Sequence, residues 1–125
     1  MKATQALKKW QKIFNLSHWE IKVEVVSEND NSEMVGMSGY VELRTLDKEA
    51  DIFVNVDEDD KEPIVIHELL HVLLMDNFKT FINSIGTDGS EYGLFEYCGE
   101  MLIRDLSKSF NGRCHANPTG AIGYG

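Results

Sequence analysis

The stretch His67-Glu68-Leu69-Leu70-His71 narrows most sharply what this chain can become. It lies inside the apolar run Ile64 to Met75, which reads as a helix buried nearly all round. On such a helix, residues four apart are about 40° apart around the axis and about 6 Å apart along it, so both imidazoles face one side. Glu68 is turned about 100° from His67, near enough to reach a water on a shared metal but not to ligate that metal. Buried imidazoles and carboxylates without partners cost several kcal/mol, roughly, and a metal supplies the partner. Zinc bound this way lowers the pKa of its water to about 7, and a nearby base takes the proton. The pattern fixes only three positions. Its ordinary alternative is a pair of core histidines hydrogen-bonded to backbone carbonyls.

The remaining composition sets bounds. A chain of 125 residues forms one domain, here residues 1–110 followed by a Gly-rich tail, 111–125. No run approaches the roughly 18 apolar residues of a membrane span. The start, Met1 to Trp10, reads as an amphipathic helix without the apolar centre of an export signal. Two cysteines, Cys98 and Cys114, give no disulfide framework, so a cytoplasmic location is expected. With 12 basic against 21 acidic residues the net charge is −9, which argues against nucleic acid as a partner. No membrane partner is expected either.

An α+β arrangement follows from the change of period along the chain. Ala3, Ala6, Leu7, Trp10, Ile13 and Phe14 recur at helical spacing, whereas Trp19 to Val26 alternates apolar and charged residues, as a half-buried strand does. Two further strands are expected over 39–46 and 50–56, giving a three- to four-stranded antiparallel or mixed sheet. The acidic turn Asp57 to Asp60 and Pro63 favour the start of the central helix, expected over 61–78. Residues 79–90 read as a loop. A last helix, roughly 91–110, would turn Leu94, Phe95, Cys98, Met101, Leu102 and Leu106 to the core.

A catalytic zinc commonly takes three protein ligands. The spacing that would place a third histidine six residues after His71 is absent, since position 77 is Asn. Glu96 on the last helix is the leading candidate, with Glu100 one turn on as the acceptor of an N–H from a ligating imidazole. Glu100 itself, Glu91 and His115 remain alternatives for the ligand.

A helix, then strands, then the Val65-Ile66-His67-Glu68-Leu69-Leu70-His71 helix, then Glu96 and Glu100 resembles the gluzincin metallopeptidases in their smallest form. In particular it resembles minigluzincins and the short metallopeptidase-like proteins of bacteriophages and their bacterial hosts, over about residues 5 to 107. The resemblance implies a small zincin-like fold, Zn2+ held by His67, His71 and Glu96, Glu68 as general base and acid, and Glu100 supporting a ligand. It further implies hydrolysis of a peptide or protein substrate paired along an edge strand, expected to be Ala50 to Val56. Tyr92, Tyr97 or His115 would steady the oxyanion. Cys98 reads as a small core residue and Cys114 as an ordinary free thiol, with capture of the metal by that thiol as its alternative. The competing function is a non-catalytic, zinc-stabilised module that binds a protein at the open sheet edge.

Overall fold

A computed structural model describes residues 1–111, with an α1 helix over Ala3–Ile13, strands β1 (Glu20–Val26), β2 (Gly39–Arg44) and β3 (Glu49–Asn55), and helices α2 (Glu62–Ile85) and α3 (Ser90–Asn111). A single 3-10 turn, Ser32–Met34, interrupts the connection from β1 to β2. The expected α+β class holds, and among the described residues the sheet is mixed with three strands. The tail from residue 112, with Cys114 and His115, lies outside the described residues. None of the described helices is long and apolar enough to cross a membrane.

The first helix forms because Ala3, Ala6, Leu7 and Trp10 fall on one face and are buried there, leaving its lysines in water. It ends where Asn15 takes a positive φ of 58° and its N–H donates to the Lys12 carbonyl. Trp10 then ties this helix to α2 by donating its indole N–H to Glu62 at 2.6 Å. That bond is the first cause of a lowered Glu62 pKa.

The sheet runs β1-β3-β2, with β1 parallel and β2 antiparallel to β3. Ala50, Ile52 and Val54 point from β3 into the core and are fully buried. The strand expected at the edge, Ala50 to Val56, is therefore the central one, and the edges are β1 and β2. The reason is combinatorial. All three strands alternate with period two, and only the burial of β3 between two neighbours distinguishes them.

Val65, Ile66, Leu69 and Val72 of α2 are completely buried against this sheet and α1. Residues 79–85, expected as a loop, instead continue the helix past a kink at Phe78 (φ −113°, ψ 15°). Phe78, Phe81, Ile82 and Ile85 keep helical spacing, Ile82 is buried, and the Ser84 hydroxyl donates to the Phe81 carbonyl within the turn. Gly86, with a φ of 76°, ends it.

The last helix returns along α2 with Gly99 and Ile103 buried in the contact. A Cβ on Gly99 would stand 2.7 Å from Leu74 Cδ2, so glycine allows the close approach. The face of α3 turned inward is not the expected one. Cys98 is exposed rather than a core residue, and Leu94, Met101 and Leu102 also face outward.

Candidate metal centre

Two helices assemble the site. One turn of α2 carries His67 and His71, whose ring centroids are 5.0 Å apart. From α3, Glu100 reaches both. Its Oε1 lies 3.3 Å from His67 Nε2 and its Oε2 lies 3.3 Å from His71 Nε2. One ligand atom from each of the three residues lies within 4.8 Å of the others.

These contacts are close but poorly aligned. Both imidazole Nε2 atoms and Glu100 Oε1 are buried without a hydrogen bond of acceptable geometry. Buried polar atoms are ordinarily paired, and leaving one unpaired costs roughly 1–3 kcal/mol. Three such residues with ligand atoms this close together suit a divalent cation, and two imidazoles with one carboxylate are a donor set that zinc accepts. The residues present therefore fit a metal ion. Burial by itself raises the Glu100 pKa, but the imidazoles of His67 and His71 override it and hold the carboxyl down at about 2. The Glu100 carboxyl is thus an anion at any ordinary pH.

Glu68 is only 2% exposed, and its Oε1 also lacks a partner. Burial first, and the Glu100 carboxylate second, push its pKa well above the ordinary value. The start of β2 covers it. A Cβ on Gly39 would meet Ile64 Cγ2 at 2.5 Å and the Phe53 carbonyl at 2.8 Å, and would stand 3.8 Å from Glu68 Oε2. Glycine there lets the strand backbone close over the acid.

Glu96, the expected ligand, is not in the cluster, and Glu100, expected to support a ligand, takes its place. The two carboxylates lie one helical turn, about 6 Å, apart along α3, and nothing in an isolated sequence sets which of them meets α2. Glu96 instead lines a groove of about 580 Å³ beside the cluster, together with His71, Glu100, Tyr92, Tyr97 and the β2 residues Val41 and Leu43. A larger hollow of about 700 Å³, between the start of α1 and β1, holds none of the cluster residues. Donor chemistry rather than size locates the site.

Sequence reasoning missed Gly39 and Gly99, because a glycine's role as a spacer appears only once its neighbour is known. It also missed a partly buried anchor outside the site. Asp76 on α2 accepts from Lys48 at 2.9 Å and pairs with His18 at 3.0 Å. Burial raises the Asp76 pKa, yet these partners hold it at about 2.

No family model, curated protein or solved structure matches this chain. The functional assignment rests on the site.

Proposed function

We propose that this chain is a zinc-dependent peptidase with a minimal zincin-like fold, similar in its site to gluzincins. One observation carries the reading. Buried, unpartnered donor atoms from two helices converge, while a separate carboxylate, Glu68, stays buried next to them without joining. A zinc ion there would supply Lewis acidity toward a carbonyl and a water. His67, His71 and Glu100 would hold it. Glu68 would take a proton from the water on its carboxylate and return it to the leaving amine.

Substrate positioning falls to β2. That strand pairs only with β3 among the described residues, and its Val41 and Leu43 line the groove. An extended peptide would add along this edge by main-chain hydrogen bonds, with its side chains against the groove wall. Tyr92 and Tyr97 lie in the same wall and are the described donors nearest in kind to what an oxyanion needs. His115 lies outside the described residues. The scarcity of cysteine supports a cytoplasmic setting.

A second reading keeps the metal and drops the chemistry. Glu68 is not among the groove-lining residues, as in a site that holds a small fold together and binds a protein without cutting it. One experiment separates the two. Metal content is measured by mass spectrometry, and cleavage of a peptide library is followed with and without chelator and with Glu68→Gln. Cleavage that needs both metal and Glu68 establishes the peptidase, whereas about one zinc per chain with no cleavage establishes the binding module.

A further inference from the structure

Glu96 lines the groove that also holds His71 and Glu100 of the metal cluster. Among the described residues, the groove's ionisable side chains other than tyrosine are His71 and Glu100, which belong to the metal cluster, and Glu96. No Lys or Arg among the described residues lines the groove. Around that carboxylate the wall is aromatic and aliphatic, from Tyr92, Phe95, Tyr97, Leu74 and Met75. One anion at the mouth of an apolar, aromatic channel suits a cation on an apolar stem. The stem packs along the wall, and the charged head meets the carboxylate and ring faces. Glu96 is one helical turn from Glu100, about 6 Å along α3, which is close to the reach of an extended lysine side chain from a backbone held beside the cluster. The whole-chain charge of −9 draws the same kind of ligand.

We infer that Glu96 is a specificity-determining residue that selects peptides bearing a lysine or arginine beside the bond at the metal centre. This deepens the peptidase reading and rests on it, yet it concerns binding and is tested without turnover. Zinc-loaded Glu68→Gln protein is used to select from peptide libraries in which one position is fixed as Lys, Arg, Gln, norleucine or Asp. Zinc affinity is measured in parallel by competition with a chelating dye.

The expected result is retention of Lys and Arg peptides about tenfold above Gln and norleucine. That preference disappears in the Glu68→Gln, Glu96→Gln double variant and turns toward Asp in Glu68→Gln, Glu96→Lys, with zinc affinity unchanged in both. Retention of peptides without preference for charge, or a preference that survives Glu96→Gln, overturns the inference and leaves the peptide-binding reading standing. A fall in zinc affinity with Glu96→Gln makes Glu96 a metal ligand and also overturns it. If zinc-loaded protein retains no peptide, both readings fall together.

Discussion

At the scale of single residues, the chemistry depends on which carboxylate reaches the imidazoles. Glu100→Ala should weaken zinc binding by at least about 100-fold, because it removes one of three ligands, while Glu96→Ala should change it by less than about threefold. Competition with a metal-chelating dye checks both, and the reverse order would reinstate Glu96 as the ligand. Glu68 makes a different prediction in metal-free protein. Its folded pKa is raised above the ordinary 4.5, so the folded state keeps a proton that the unfolded chain releases, and stability falls as the pH rises past that value. Glu68→Gln should thus stabilise the apo protein at pH 7 by about 1–3 kcal/mol and make little difference at pH 4, as read by urea unfolding at the two pH values. The types of residue at positions 67, 68 and 71 made the site legible from sequence. Choosing between Glu96 and Glu100 was not, because both sit on one helix a turn apart and either could face a partner whose position is unknown.

Elements decide how those residues meet. Gly99 lets α3 approach α2, and a Cβ there already crowds Leu74 Cδ2 at 2.7 Å. Alanine would be met by a small shift of a flexible Leu end. Gly99→Val should instead push the helices apart, costing about 1–3 kcal/mol of stability and weakening zinc binding more than 10-fold, since Glu100 is the next residue. Thermal melts and dye competition on the same variant check this. The second half of α2 carries the Asp76 anchor to Lys48 and His18. The folded pKa of Asp76 is depressed from 3.8 to about 2, so its contribution is present above the unfolded value and is lost as the pH falls between about 4 and 2. Because Lys48 and His18 are partly exposed, the contribution is about 1 kcal/mol. Asp76→Asn should flatten the stability profile in that window, measured by denaturant midpoints. The helical continuation over 79–85 was hidden in the sequence behind Asn83, Gly86, Asp88 and Gly89, which local propensity assigns to loops, whereas burial of Ile82 favours the helix.

For the whole molecule, the site is part of what holds the fold. The cluster joins α2 to α3, and it leaves three buried donor atoms unpaired without an ion. A ligand that binds only the folded state adds about 4 kcal/mol at 1,000 times its dissociation constant. Chelation should accordingly lower the melting temperature by about 10 °C or more, and zinc should restore it. An unchanged melt would mean that the cluster holds no ion. Several features were fixed by the order of residues alone, because period, charge and side-chain type are local. These are the α+β class, the three strands, the amphipathic first helix and the pairing of His67 with His71 on one face. Others depend on distances between segments far apart in the chain, which no local pattern encodes. Packing alone inserted β3 between β1 and β2, made β2 the open edge beside the groove, turned Cys98 outward, and set Glu100 rather than Glu96 beside the imidazoles.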